Sequence, residues 1–386
     1  MSTIQAPTSD APNSWQTHVA GQDVRIFVEV EPFLQSLLAD IRTAQKRIWV
    51  ETYILGDDSI GRAVTHALAE RAAEGIDVRL MIDGVGSVDV SSGMLAEVES
   101  AGGKTHVYHS FGYALWEKLH LELLNWRNHR KLVVIDDSVA YFGGMNLADP
   151  VAGRDLATWH DIQMRVGGTV VDQVAEIMDR LWRHAHGESV KWPRFPLKEL
   201  KRDGDETFLF FDTIPIVPHR RAEWIFRVLI RGAKQSINLL MAYFVPSGAV
   251  LRDLFRMRKR GVHIRVVVPA LSDVRVVQWA TEHLYGRLLR RGFRLFERTG
   301  RMLHSKAMVV DDKWTLIGSC NLDPRSLLHN REFIAVIRSP RLAKMMNEIV
   351  RLEVLQSERV TRERVESRTM WQRWRGRLAW WFRAWL

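Results

Sequence analysis

Two short runs of the chain carry the same five chemically active residues at the same spacing. His129, Lys131, Asp136, Gly143 and Asn146 make the first set, and His304, Lys306, Asp311, Gly318 and Asn321 the second. One His-x-Lys pair is weak evidence, whereas two identical five-residue patterns in one chain point to a shared chemistry. Cleaving a phosphodiester takes a nucleophile, an acid for the departing alkoxide and positive hydrogen-bond donors around the phosphoryl oxygens. The two sets supply all three. One imidazole attacks phosphorus to give a covalent phosphohistidine and the other protonates the leaving oxygen. Lys131, Lys306, Asn146 and Asn321 neutralise the phosphate, so that neither a metal ion nor an organic cofactor is required. Each ring needs a partner on its second nitrogen. Asp161 and Glu332, each downstream of a motif Asn and just before a strand, are the candidates. Asp136 and Asp311 count among the catalytic residues as members of the motif, with His129, Lys131, His304 and Lys306, but each closes its strand. A carboxylate set against an anionic phosphate is unfavourable, so a structural role is expected for both.

The elements that must position these residues also come twice. Residues 33 to 55 are echoed by 222 to 246, each reading as an amphipathic helix followed by a strand, and 69 to 83 by 254 to 269, each a helix, a Gly and an alternating strand. Each half then reaches a strand that begins at His-x-Lys. Side chains at i and i+2 of a strand share a face, so each His projects beside its Lys and each motif is half a site. The fold class is α/β. Two similar lobes are expected to pack about a pseudo-two-fold axis with the active site at their interface. Alternating strands and helices predict a mainly parallel sheet in each. The expected divisions are a disordered segment over 1–21, a first lobe over 22–193, a Pro- and charge-rich linker over 194–206, a second lobe over 207–355 and a basic tail over 356–386.

With 386 residues the chain exceeds what one core usually holds. The formal net charge of +10 draws it toward anionic partners, and 15 Trp tilt that choice toward a membrane rather than nucleic acid. The single cysteine, Cys320, excludes an intramolecular disulfide and a Cys-based zinc site, and reads as a small filler between Ser319 and Asn321. Residues 1 to 20 lack the pattern of a signal peptide, and no run of about 18 uninterrupted apolar residues occurs, so a chain that is neither secreted nor membrane-spanning is expected.

The tail from 367 to 386 carries five Trp and five Arg with no acidic residue. At helical spacing Trp371, Trp374, Leu378, Trp381, Phe382 and Trp385 share a face, and Trp380 lies off it. Such a helix either lies in an anionic lipid interface or docks its Trp stripe on the second lobe. A second stripe, Leu115, Leu119, Leu123 and Trp126, precedes only the first motif and either borders an acyl-chain channel or belongs to the core.

The paired His-x-Lys-x4-Asp motifs with their trailing Gly and Asn resemble the phospholipase D superfamily. Residues 318–333, with 74–87 and 241–247, are similar to bacterial cardiolipin synthases of the short type without N-terminal transmembrane segments. The resemblance implies transphosphatidylation: a phosphatidyl group carried on one motif histidine passes to phosphatidylglycerol, giving cardiolipin. Within it His129 is the implied nucleophile and His304 the general acid, although the residues by themselves treat the two alike. Phosphatidylglycerol, and phosphatidylethanolamine as a second donor, are the implied substrates. The implied place is a peripheral one on the anionic phospholipid of the bacterial inner membrane, at its cytoplasmic face, and nucleic acid is not the expected partner. A hydrolytic phospholipase D and a phosphodiesterase nuclease of the same superfamily are the rival enzymes, and a noncatalytic membrane scaffold the rival of another class.

Overall fold

The computed structural model describes residues 14–109, 126–150, 158–192, 200, 204–213 and 221–383. The first lobe runs β1 (Ser14–Val19), β2 (Gln22–Phe27), α1 (Val30–Thr43), β3 (Arg47–Thr52), α2 (Ser59–Ala73), β4 (Asp77–Asp83), α3 (Ser92–Ser100), β5 (Lys104–Tyr108), β6 (Leu132–Ile135), β7 (Val139–Gly143), β8 (Trp159–His160), β9 (Gln163–Gly167) and α4 (Val171–Ala185). The second runs β10 (Thr207–Thr213), α5 (Arg221–Gly232), β11 (Ser236–Met241), α6 (Gly248–Lys259), β12 (His263–Pro269), α7 (Arg275–Arg290), β13 (Arg294–Arg298), β14 (Met302–Leu303), β15 (Lys306–Val310), β16 (Trp314–Gly318), α8 (Pro324–Leu328), β17 (Glu332–Arg338), α9 (Pro340–Leu355), β18 (Ser357–Arg359), α10 (Arg362–Glu366) and α11 (Met370–Trp381).

The duplication is visible strand by strand. One sheet has the order β1-β2-β9-β7-β6-β3-β4-β5 and the other β10-β17-β16-β15-β11-β12-β13-β18. Seven strands therefore correspond in order, with β1 and β18 added at opposite edges. Neither sheet is mainly parallel, which corrects the sequence expectation. Only β3–β4–β5 and β11–β12–β13 pair parallel, and the other pairs are antiparallel. Parallel pairing needs a crossover, which α2, α3, α6 and α7 provide. After each motif strand the chain instead turns back at once through Asp-Asp, so β6–β7 and β15–β16 are hairpins.

The motif strands are buried on both faces. Leu132 and Val134 point into a core shared by the two lobes, and Val133 and Ile135 into the core under α1 and α2. Ala307 and Val309 likewise face the shared core while Met308 and Val310 face that of the second lobe. The shared core includes Phe142 against Phe333 at 5.3 Å between ring centroids, and apolar residues of α4 and α9. A continuous apolar layer between the lobes fixes their relative position, which a polar seam of comparable size would do far less firmly.

Two divisions expected from the sequence change. The disordered segment does not reach residue 21, because Ser14–Val19 pairs antiparallel with β2. The turn between them places Ala20 at φ 50° and Gly21 at φ 77°, as a two-residue hairpin loop requires, and Val19 is fully buried. Nor does the second lobe stop at 355. β18 adds an edge to its sheet beside β13, and α11 packs against α7. The stripe of Leu115, Leu119 and Leu123, and Trp385 of the tail, lie outside the described residues.

Candidate active site

Each motif histidine sits just before its strand and is held by the opposite lobe through the backbone. The His304 amide donates to the His160 carbonyl at 2.7 Å, and the His129 amide to the Arg331 carbonyl at 3.0 Å. β14 runs parallel to β8, and Asn128 bridges Arg331, in matching ways on the two sides of the pseudo-axis.

The carboxylates cross over as well. Glu332 of the second lobe meets His129 of the first, its oxygens 3.0 and 3.1 Å from Nδ1. Asp161 of the first lobe meets His304 of the second, with Oδ2 2.6 Å from Nδ1. With Nδ1 engaged, Nε2 is the nitrogen of each ring that no carboxylate holds. The motif glycines make these approaches possible. A Cβ on Gly318 would lie 2.1 Å from the Phe333 carbonyl oxygen, and one on Gly143 2.4 Å from that of Ile162. Gly144 gives Asp161 its space, since a Cβ there would meet Oδ1 at 2.2 Å. Ser319 stands at the corresponding place in the second motif and donates to Glu332.

The lysines converge on the same space. Lys131 Nζ donates to the His129 carbonyl at 2.7 Å and lies 5.0 Å from the centre of the Tyr53 ring. Lys306 Nζ lies 2.8 and 3.2 Å from the two ring nitrogens of His304 and 3.4 Å from Asp161. Asn146 and Asn321 use their side-chain oxygens to accept from the amides of Ile54 and Tyr243, each at 3.3 Å, which orients both amide groups.

Burial and concentrated positive charge set the protonation states. Burial pushes the His129 imidazole well below its usual pKa, and Lys131, Lys306, His304 and Arg325 push the same way. His304 is lowered by burial and by Lys306, but Asp161 opposes that shift. Burial and then Lys306 bring Lys131 down to about 7, and burial brings Glu332 up to about 7. Burial would also raise Asp161, but Lys306 and His304 more than offset it and hold the carboxylate below its usual range. The two rings thus differ, His304 facing a firm anion and His129 a carboxyl poised between its two forms.

Asp136 and Asp311 are not at the cleft, which corrects their place among the catalytic residues. They stand seven residues beyond their histidines, roughly 20 Å along an extended strand. Asp136 accepts from the amides of Gln45, Lys46 and Arg47 at 2.7 to 3.1 Å, and Asp311 from those of Lys234, Gln235 and Ser236 at 2.6 to 2.8 Å. Both have positive φ, 52° and 53°, a conformation that Asp tolerates better than most residues. Cys320 lies in the core of the second lobe, and burial pushes its thiol well up.

Sequence reasoning missed the aromatic neighbours. Trp159 stacks on His304 with ring centroids 4.9 Å apart and planes 12° apart, whereas Tyr53 meets His129 edge-on at 4.8 Å. The repeat held a signal for one pair, since Tyr53 and Tyr243 occupy the same place in the echoed segments. The buried Arg130 was also missed. It donates to Glu51 at 2.9 Å and across the lobes to Asp212 at 3.0 Å. Among the described residues no group of three or more His, Cys, Asp or Glu side chains is arranged to hold a metal ion.

The family described as "Cardiolipin synthase, PLD-like domain" matches residues 37–182 and 226–352, the two stretches that build both halves of this cleft. The chain belongs to that family. A cardiolipin synthase of Halalkalibacterium halodurans is 32% identical over 319 residues, a match that covers 80% of this chain and 62% of that protein. Cardiolipin synthase 1 of Staphylococcus aureus strain COL is 29% identical over 350 residues, covering 89% of this chain and 70% of that one. The match thus spans about two thirds of the length of these family members. Among solved structures, the phosphatidylserine synthase of Haemophilus influenzae Rd KW20 has a TM-score of 0.68 at 14% identity, covering 93% of this chain and 92% of its own. The polyphosphate kinase of Porphyromonas gingivalis has a TM-score of 0.57 at 14% identity, over 91% of this chain and 49% of that one. These two likenesses are of fold.

Proposed function

We propose that the chain is a phosphatidyltransferase that forms cardiolipin through a phosphohistidine. The observation that carries this reading is the pair of crossed dyads, Glu332–His129 and Asp161–His304, closed around two lysines. His129, the ring held more strongly neutral, attacks phosphorus through Nε2, and the bond from phosphorus to the oxygen of the donor's headgroup alcohol breaks. His304, kept chargeable by Asp161, gives that oxygen its proton. It then takes the proton of an incoming alcohol, whose oxygen displaces Nε2 of His129 and completes the transfer. Lys131, Lys306 and the amide groups of Asn146 and Asn321 stabilise the phosphoryl oxygens while charge develops on them.

The substrates in this reading are phospholipids, as the names of the family and of its curated members support. Phosphatidylglycerol is the acceptor, and phosphatidylglycerol or phosphatidylethanolamine the donor. The protein works peripherally on the cytoplasmic face of the bacterial inner membrane. Among the described residues no helix is long and apolar enough to cross a bilayer. Purified protein incubated in EDTA with phosphatidylglycerol vesicles, with and without phosphatidylethanolamine, tests the reading by mass spectrometry of the lipids. Cardiolipin with the wild type and none with His129→Ala is the expected result. Phosphatidic acid alone would make it a hydrolase, and no lipid product would overturn it.

A further inference from the structure

The C-terminal helix docks with the side of its surface that the sequence leaves off the aromatic stripe. Ala379 is buried against Val245, Val277 and Ala280, with Trp380 and Trp279 packed at its edge. Gly376 allows the close approach, since a Cβ there would stand 3.3 Å from the Trp279 carbonyl oxygen of α7. Arg368 donates to the Glu282 carbonyl at 2.7 Å, and Arg375 reaches the Glu282 carboxylate at 3.9 Å. α11 thus lies antiparallel on α7, held by Trp380, the one tryptophan that breaks the stripe.

The stripe itself faces outward. Trp371 is 65% and Trp381 73% exposed, and Trp374, Leu378 and Phe382 are exposed between and beside them. Arg373 and Arg377, also exposed, flank the stripe one turn apart. Large aromatic side chains left in water along one face of a well-packed helix are an unused binding surface. Further exposed apolar side chains lie around the start of α7, where α11 docks. Ala379 touches Val277, whose neighbours Val274 and Val276 are exposed, as is Leu271. Asp273 in that loop accepts from Tyr243 at 2.8 Å, and its charge is felt at His304 and Lys306. The exposed aromatics and arginines of α11 and the exposed apolar residues around the start of α7 together make up a strip beside the loop that carries Asp273.

We infer that this strip is the surface on which the protein rests on an anionic phospholipid bilayer, with α11 in the plane of the headgroups and the mouth of the cleft facing the lipid. The inference deepens the proposed function and rests on it for the orientation of the cleft, though not for the binding itself. Trp and Arg side by side suit an interface that is apolar below and negatively charged above. A second copy suits the strip poorly. A two-fold contact would set the arginines of one α11 against those of the other, and residues 367–386 contain no acid to pair with them. Bilayer docking also gives a physical reason for a helix that buries its small residues, Gly376 and Ala379, and leaves all but one of its tryptophans outside.

Co-sedimentation of the full chain with phosphatidylcholine vesicles, with and without phosphatidylglycerol, tests the surface. Binding is expected only with the anionic lipid, weakening as salt rises. Trp374→Gln with Trp381→Gln, and separately Arg373→Gln with Arg377→Gln, should each weaken it at least about tenfold. The ratio of transfer on vesicles to transfer on monomeric short-chain phosphatidylglycerol should fall with it. Should a variant lose its thermal transition, hydrogen exchange on the wild type decides, with slowed amide exchange over 370–381 on adding vesicles as the expected result. Unchanged binding in folded variants, no protection of α11, or a dimer without lipid that these changes dissociate would each overturn the inference. Vesicle binding through α11 with no lipid product would sink the proposed reaction and leave the surface standing. Transfer that persists with binding indifferent to α11 would do the reverse.

Discussion

Replacing Asp161 with Asn tests whether the two motif histidines are controlled from the opposite lobes. The Asp161 carboxylate is 2.6 Å from His304 Nδ1, both side chains are nearly inaccessible, and Lys306 stands 3.4 Å away. Asn keeps the shape and removes the charge that, in the proposed reaction, holds His304 ready to protonate a leaving group. A buried charge-assisted hydrogen bond contributes about 1.5–3 kcal/mol, which corresponds to a loss of about 10- to 150-fold in kcat if it is fully expressed in the transition state. Glu332→Gln should cost less. Its oxygens are 3.0 and 3.1 Å from His129, it is shared with Ser319 and Asn330, and with a pKa pushed up to about 7 it is already half neutral at neutral pH. A neutral hydrogen bond contributes about 0.5–1.5 kcal/mol, or about 2- to 13-fold. The assay is steady-state transfer from phosphatidylglycerol in EDTA, with thermal melts to confirm folding. Nitrogen NMR of labelled histidine supplies a second reading, in which Asp161→Asn moves the His304 Nδ1 resonance and lowers its titration while His129 stays in place. Equal losses for the two variants, a reversed order, or a shift at His129 would refute the crossed assignment.

Three further outcomes follow from the same geometry. Asp311→Ala removes the acceptor of three backbone amides and should cost about 1–3 kcal/mol in denaturant unfolding, while kcat per folded molecule is retained because the residue lies far from the cleft. His160 bonds Glu353 at 2.6 Å across the lobes; burial lowers its pKa, but Glu29 and Glu353 more than offset this and raise it to about 9. A raised histidine stabilises the fold fully below its unfolded pKa, so unfolding midpoints should fall as pH rises from about 6.5 through about 9, by up to about 3 kcal/mol, and His160→Gln should flatten that slope. Finally, kcat/KM should decline as pH rises through about 7, where Lys131 loses its proton, and the corresponding limb of kcat should lie higher because a bound anionic phosphodiester favours the charged lysine. Coincident limbs in the two pH profiles would contradict that account.

Much of the architecture was legible in the sequence because it is local. The alternation of side chains along any strand fixes which residues of 129–135 and 304–310 share a face, and the tandem of helix, glycine and strand marks the duplication. Local pattern also misled. Alternation of strands and helices suggested parallel sheets, but the short Asp-Asp turns impose hairpins that periodicity does not register. Residues 14–19 looked like a disordered leader because six residues without a strong apolar run gain their stability only from a partner strand.

The site divides along the same line. That each His stands beside a Lys, that each motif ends in an Asp able to hold a positive-φ turn, and that a second carboxylate follows in each half can all be read along the chain. Those are properties of neighbours along one strand. It took the packed lobes to show that Asp161 meets a histidine 143 residues away and Glu332 one 203 residues away. Only that packing showed that Trp159 covers one ring and Tyr53 edges the other, and that Trp380 anchors the tail so that Trp371, Trp374 and Trp381 face out. Contacts between lobes depend on how the shared apolar layer packs, and the free energy of that packing is spread over dozens of side chains of which no short motif keeps a record.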